Sequence, residues 1–148
     1  MSKILLLALL LSLVGCSTPI AYYKNTTPQL KLEEFYNGKL TAYGIVQSRN
    51  GKVLRRFSVE MTGTWNGNKG VLDEHFVYDD GEKQQRIWYL EKKSDGQYTG
   101  SASDVVKAAD GETQGYALEW KYTLAIKVDG TLWEVDFEDW MYLIDEHR

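Results

Sequence analysis

The sequence has a single cysteine and no concentrated basic segment, and both features narrow what the protein can be. Cys16 is the only cysteine among 148 residues, so the rest of the chain has no disulfide framework, catalytic thiol or cysteine-based metal site. The formal net charge is −4, and basic residues cluster only as the pairs Arg55-Arg56 and Lys92-Lys93. Because nucleic-acid binding needs a basic footprint, we expect no nucleic-acid partner.

Motifs for catalysis and cofactor binding are also missing. The chain has no G-x-S-x-G, H-E-x-x-H, phosphate loop or dinucleotide fingerprint. Its two histidines, His75 and His147, form no paired metal motif, so we expect neither a metal nor a cofactor. Asp73 lies two residues before His75, which places both side chains on one face of a strand. This pair is the candidate catalytic site, and a hydrogen-bonded structural histidine is the alternative.

The first sixteen residues have the pattern of a bacterial lipoprotein export signal. Lys3 precedes an apolar run from Ile4 to Leu11 that is too short for a stable membrane-spanning helix. The following Leu-Val-Gly-Cys resembles the lipobox, in which cleavage precedes the cysteine and acylation follows. We therefore predict that residues 1–15 are a signal peptide and that Cys16 carries the lipid anchor. Ordinary secretion and an uncleaved anchor are the alternatives.

The residues after Cys16 indicate location and domain organisation. Ser17 stands where an aspartate would resemble the signal for inner-membrane retention, so we expect the periplasmic face of the outer membrane. Residues 16–34 contain both prolines, Pro19 and Pro28, and little periodicity, which is typical of a flexible tether. Residues 35–148 are long enough for one domain with its own core.

Turn signals divide residues 35–148 into strands. Asn-Gly and Asp-Gly pairs favour the positive φ of tight hairpins. Such pairs begin at Asn37, Asn50, Asn66, Asp80, Asp95, Asp110 and Asp129. Between the turns apolar and polar residues alternate, as with Trp120 and Tyr122 against Glu119 and Lys121. The pattern predicts an all-β domain.

We predict seven antiparallel strands in an up-and-down meander. They lie near 39–47, 53–65, 69–78, 84–92, 97–107, 114–127 and 132–144. The one helix candidate, Ser103 to Ala109, is assigned to a strand because of its paired valines. A long antiparallel sheet tends to curl and close, which removes exposed edges, so we expect a β-barrel.

Five blocks of sequence form a recognisable set. They are Asn37–Gly44, Gly63–Gly67, Leu72–Glu82, Arg86–Trp88 and Asp139–Glu146. Together they resemble the DUF3833 family of bacterial lipoproteins over the whole domain from Phe35 onward. The resemblance implies a lipocalin-like barrel and carries no established activity or catalytic residues. Family members continue beyond the last block with one or two further strands, so we expect either a truncated chain or a barrel with an open C-terminal edge.

Charged residues interrupt the apolar faces of the predicted strands. Those in register with apolar neighbours are Arg55, Asp73, His75, Arg86 and Asp139. A buried charge must pair or bind a ligand. One interpretation is an internal ion-pair network or placement at strand ends; the other is that an arginine receives the carboxylate or phosphate of an amphipathic ligand. The candidate ligand-binding residues are Arg55, Arg86, Trp88, Asp139 and Trp140.

Three functions are consistent with these features. The first is a membrane-anchored module that binds or carries a lipid or another apolar molecule in the cell envelope. The second is a structural partner of an envelope complex, which predicts a large exposed apolar patch. The third is a lipid-modifying enzyme that uses His75, which requires a cavity reaching that residue. We favour binding over the structural role, and both over catalysis.

Overall fold

The computed structural model describes residues 18–128, 130–146 and 148, so the predicted signal peptide and Cys16 lie outside the described residues. A 3-10 helix at Ile20–Tyr23 and a one-turn helix, α1, at Leu32–Phe35 precede eight strands. The strands are β1 Gly38–Gln47, β2 Val53–Asn66, β3 Lys69–Tyr78, β4 Lys83–Ser94, β5 Gln97–Ser101, β6 Ala109–Gln114, β7 Ala117–Val128 and β8 Thr131–Tyr142. Within the described ranges, no helix is long and apolar enough to cross a bilayer.

All eight strands form one antiparallel sheet in sequence order, which confirms the predicted all-β meander. The sheet curls into an open half-barrel. Among the described residues, β1 pairs only with β2 and β8 pairs only with β7. The two outer strands therefore leave a gap along the side of the barrel. We call the space between their inner faces the groove.

The prediction of seven strands was wrong around one turn signal. The predicted strand 97–107 is β5 followed by a loop at 102–108, and Asp110-Gly111 lies inside β6. The turn between β6 and β7 instead contains Gly115, with φ of 55°. At Gly111 the absence of a side chain makes room for the indole of Trp120, against which a Cβ would collide. Gly111 therefore allows the close packing of Trp120 and does not form a turn.

The core lies on the concave face of the sheet. Leu118, Trp120 and Leu124 of β7 are only 1%, 6% and 6% exposed, which confirms the predicted alternation of that strand. The rings of Trp88 and Trp120 meet edge to face with centroids 5.5 Å apart. These two buried indoles join β4 to β7 across the concave side of the half-barrel.

The stretch predicted as a tether contains buried residues. Ile20, Leu30 and Leu32 are each less than a tenth exposed, and the amide of Leu30 donates to the carbonyl of Gly115 over 2.8 Å. In α1, Glu33 accepts hydrogen bonds of 2.7 Å from Lys92 Nζ and from the Tyr98 hydroxyl. These contacts hold the segment against the sheet and place α1 over one end of the concave face.

Candidate functional site in the concave groove

Five polar side chains meet inside the half-barrel. The register of β3 and β4 sets Glu74 directly opposite Arg86 on the concave face. Tyr122 and Asp139 face the same side from β7 and β8, and the loop at 102–108 brings in Asp104. We call these five residues the polar cluster.

Arg86 is the only cation of the polar cluster, and it is already paired. Its Nε and Nη2 atoms donate to both carboxylate oxygens of Asp104 over 2.8 to 3.1 Å, the fork geometry that suits an arginine and a carboxylate. The side chain of Arg86 is 8% exposed. Burial opposes its charge, but the hydrogen bonds and negative charge of Asp104 raise the pKa of Arg86. Arg86 therefore keeps its positive charge.

Burial of the Glu74 and Asp139 carboxylates costs more free energy than burial of the Arg86–Asp104 pair, because their hydrogen-bond donors are neutral. Trp88 Nε1 donates to Glu74 Oε2 over 3.1 Å, and the Tyr122 hydroxyl donates to Asp139 Oδ2 over 2.9 Å. Burial raises the pKa of Glu74 to about 7, although the charge of Arg86 and the Trp88 hydrogen bond act in the other direction. Burial likewise raises the pKa of Asp139. The polar cluster can thus hold a proton near neutral pH.

The inner faces of both free strands are mostly apolar, and Asp139 interrupts the apolar face of β8. Leu40 and Ala42 of β1 and Phe137 and Met141 of β8 face inward and are only half-buried. Near α1 the groove is closed, because the hydroxyl of Tyr36 donates to the sulfur of Met141 over 2.9 Å. A partly buried, concave apolar surface of this kind is a suitable wall for an apolar ligand.

The other end of the groove is open and carries exposed apolar side chains. They lie at the ends of the β1–β2 and β7–β8 hairpins, with Trp133 on the inner face and Ile45 and Leu132 on the outer face. They are Ile45, Val53, Leu54, Leu132 and Trp133, which are 47% to 67% exposed. We call this region the open end.

Comparison with known families identifies the chain. A family model described as "Protein of unknown function (DUF3833)" matches residues 10–148. The chain belongs to the DUF3833 family. Comparisons with curated proteins and with solved structures find no match. The function of this DUF3833 protein must therefore be argued from its own geometry.

Three of the predicted ligand-binding residues come together in the DUF3833 protein. Arg86 and Asp139 belong to the polar cluster, and Trp88, only 5% exposed, donates to it. Arg55 lies apart, toward the open end, where its guanidinium stacks 3.6 Å above the ring of Tyr78. Trp140 is outside the groove, because the register of β8 turns it to the opposite face from Asp139 and Met141.

Arg55 is also engaged by carboxylates. Its Nη2 atom lies 2.8 Å from Asp80 and 2.9 Å from Glu82, both of which are in the β3–β4 hairpin. The predicted ion-pair interpretation therefore describes both arginines. Both guanidinium charges are thus paired with carboxylates, although Arg55 Nε is buried without a hydrogen-bond partner.

The candidate catalytic pair occupies the convex face of the DUF3833 protein. His75 Nε2 lies 3.2 Å from Asp73 Oδ1, and the histidine side chain is 59% exposed. Both residues are in register with Val71 and Val77, as predicted, but this face points to solvent and the two valines are partly exposed. The sheet separates the pair from the groove.

Three members of the polar cluster, Glu74, Asp104 and Tyr122, were not among the predicted site residues. For Glu74 a signal was present, since it alternates with the buried Leu72 and Phe76. Tyr122 was assigned correctly to the inner face but was counted only as an apolar residue. Asp104 lies in a loop, and no local pattern reveals that it pairs with Arg86.

The described part of the chain offers no site for a metal ion. Within residues 18–128, 130–146 and 148, no group of three or more histidine, cysteine, aspartate or glutamate side chains is arranged to hold one. The carboxylates of the polar cluster are instead engaged by Arg86, Trp88 and Tyr122. The chemistry of the groove is therefore that of its apolar walls and of these hydrogen-bonded carboxylates.

Proposed function

We propose that this DUF3833 protein is a lipid-anchored envelope protein that binds a lipid or another apolar molecule in the groove between β1 and β8. The anchor is Cys16, and the domain lies on the periplasmic face of the outer membrane. The observation that carries the binding proposal is the unclosed concave face, whose two free strands carry half-buried apolar side chains on their inner faces.

The free strands favour an elongated apolar ligand. Inward positions of β1 carry Leu40, Ala42 and Val46. Those of β8 carry Val135, Phe137 and Met141, with Asp139 between the last two, so both walls are mostly apolar. Each side chain would lose exposed apolar surface on contact with a ligand, which contributes about 25 cal/mol per Å². Trp88 and Trp120 block the centre of the half-barrel, which restricts the ligand to the groove.

The charged residues help to define the ligand. Because Arg86 is held by Asp104 and Arg55 by Asp80 and Glu82, an anionic headgroup would have to compete with these carboxylates for either arginine. Placing an anion beside the polar cluster would also bring it close to Glu74 and Asp139. We therefore expect the apolar part of the ligand to occupy the groove and any anionic part to remain in water at the open end.

The test is native mass spectrometry, with lipid extraction, of the full-length chain purified from a bacterial envelope fraction. Ala42→Phe fills the groove from β1, while Thr41→Phe places the same side chain on the outer face of the same strand. We expect a lipid to accompany the parent chain and Thr41→Phe but not Ala42→Phe. Circular dichroism verifies that both variants are folded.

Two results would contradict the binding proposal. One is a parent chain that carries no lipid; the other is equal lipid content in folded Ala42→Phe and Thr41→Phe. If Ala42→Phe does not fold, Trp133→Ser at the open end replaces it, and reduced lipid content is again expected. The mass of the N-terminal peptide tests the anchor separately, because acylated Cys16 and a free thiol differ by the acyl groups.

A second candidate function is support of an envelope complex through the open end. The exposed apolar side chains there favour it, since monomeric proteins rarely leave such residues clustered. Crosslinking in intact cells distinguishes the two functions. If the open end binds a protein partner, a crosslink to that partner from Leu132 or Trp133 should still form in Ala42→Phe. If the groove binds a ligand, the bound lipid should be lost in Ala42→Phe.

A further inference from the structure

Five aromatic side chains form a continuous cluster at the end of the sheet where the described chain begins. They are Tyr22, Tyr23, Tyr116, Trp140 and Tyr142, and we call them the aromatic patch. Tyr23 is at its centre, with ring centroids 5.3 Å from Tyr22, 5.5 Å from Tyr116 and 5.5 Å from Tyr142. Trp140 stacks on Tyr142 at 6.1 Å. The patch joins the N-terminal segment to β7 and β8.

The aromatic patch is open to its surroundings. Tyr22 is 74% exposed and Tyr142 is 44% exposed, so the patch is not fully explained as packing between the segment and the sheet. Tyrosine and tryptophan combine an apolar ring with a polar hydroxyl or N–H, and they are enriched where hydrocarbon meets water at membrane surfaces. The composition of the patch suits that environment.

The short chain between Cys16 and the aromatic patch indicates that the membrane is what covers the patch. Ile20 follows Cys16 by only four positions, a stretch that spans at most about 14 Å. Ile20 is buried, and the hydrogen bond from the Leu30 amide to the Gly115 carbonyl fixes the C-terminal part of the segment to the sheet. An acylated Cys16 would therefore hold Tyr22 and Tyr23 close to the bilayer. The polar headgroup layer is itself roughly 5 to 8 Å thick on each side.

The charge pattern along β8 agrees with this placement. Beyond Tyr142 and Trp140, the outward residues of β8 change to Glu138, Asp136 and Glu134, all of which are exposed. An acidic surface is repelled by anionic lipid. The change from aromatic to acidic residues therefore marks how far the domain can enter the membrane surface.

We propose that the aromatic patch lies in the headgroup region of the membrane that Cys16 anchors, so the domain is docked end-on and is not displayed on a flexible tether. This inference rests on the proposed function, because it requires the lipid anchor. Trp133 is nine residues from Tyr142 along β8, a separation of roughly 30 Å in an extended strand. The open end of the groove consequently faces away from the membrane.

The test uses the fact that Cys16 is the only cysteine, so an introduced cysteine can be labelled selectively once Cys16 is acylated. Tyr22→Cys and Tyr142→Cys place a fluorescent label in the patch. Tyr43→Cys and Tyr89→Cys are matched controls, because these tyrosines are 82% and 61% exposed elsewhere on the domain. The full-length lipidated proteins are reconstituted in vesicles of phosphatidylethanolamine and phosphatidylglycerol. Quenching by iodide is compared with quenching by a nitroxide-bearing phospholipid.

We expect the two patch labels to be quenched several-fold more by the nitroxide lipid, relative to iodide, than the two control labels. Four labels with equal ratios overturn the proposal. Patch labels protected from both quenchers also overturn it, because protein would then cover the patch. Labelling of the unsubstituted chain at Cys16 shows that the anchor itself fails. If the anchor forms but the patch does not enter the membrane, the result is different. The unsubstituted chain then stays unlabelled, while iodide quenches the labels in the patch.

Discussion

Replacing Glu74 with glutamine should stabilise the protein above neutral pH and have little effect in mild acid. Burial raises the pKa of Glu74 from 4.5 to about 7 in the folded state. Between these values the unfolded chain binds fewer protons than the folded chain, so the free energy of unfolding falls as the pH rises. The difference corresponds to about 3 kcal/mol once the pH exceeds the folded pKa.

The assay is urea unfolding of the parent chain and Glu74→Gln at pH 5 and pH 8. Glutamine keeps an oxygen that can accept the hydrogen bond from Trp88 Nε1, and its amide can donate toward the carboxylates nearby. Glu134→Gln is the control, because it makes the same substitution at an exposed position on the outer face of β8. We expect Glu74→Gln to be more stable at pH 8 by up to about 3 kcal/mol and at pH 5 by less than about 1 kcal/mol. Equal effects at the two pH values would refute the reasoning.

Three further predictions concern the ion pair, a glycine and the convex face. Asp104→Ala leaves Arg86 buried without its carboxylate and should lower the free energy of unfolding by about 3 kcal/mol in urea; a loss below about 1 kcal/mol would show that the pair matters little. Gly63→Ala should cost roughly 2 to 3 kcal/mol by thermal unfolding, because its Cβ would collide with the Tyr36 carbonyl; an unchanged midpoint would contradict that contact. His75→Ala should change stability by less than about 0.5 kcal/mol and leave lipid content in native mass spectrometry unchanged; loss of lipid would restore a functional role for the histidine.

The strands could be predicted because most of them are buried on one face only. Alternation along β7 and the Asn-Gly and Asp-Gly turns locate most of the meander. The prediction was wrong at Asp110-Gly111, because the same dipeptide can serve either a turn or a close approach. Gly111 accommodates Trp120, which is distant in sequence, and the turn forms at Gly115 instead.

The polar cluster could be predicted only in part. Arg86 and Asp139 are visible as breaks in apolar faces. Glu74 is harder to find, because β3 has apolar residues on both faces, and the face predicted to be apolar, which carries Asp73 and His75, is the outer one. The assignment of Asp104 to Arg86 depends on a loop conformation, which has no periodic signal.

The N-terminal segment shows the same limit of local patterns. Its two prolines and polar residues are typical of a tether, yet Ile20, Leu30 and Leu32 are buried against the sheet. These apolar residues have no regular spacing because each meets a different part of the domain. Burial of this kind is decided by tertiary packing.

Photo-crosslinking with a diazirine-bearing fatty acid tests the central claim most directly. The full-length chain is irradiated with the probe, and peptide mass spectrometry locates the modified residues. We expect modification at inward-facing positions of the free strands, such as Leu40, Ala42, Val135 and Phe137, and its loss in Ala42→Phe. Modification confined to the convex face, or spread equally over both faces of β1 and β8, would contradict a binding site in the groove.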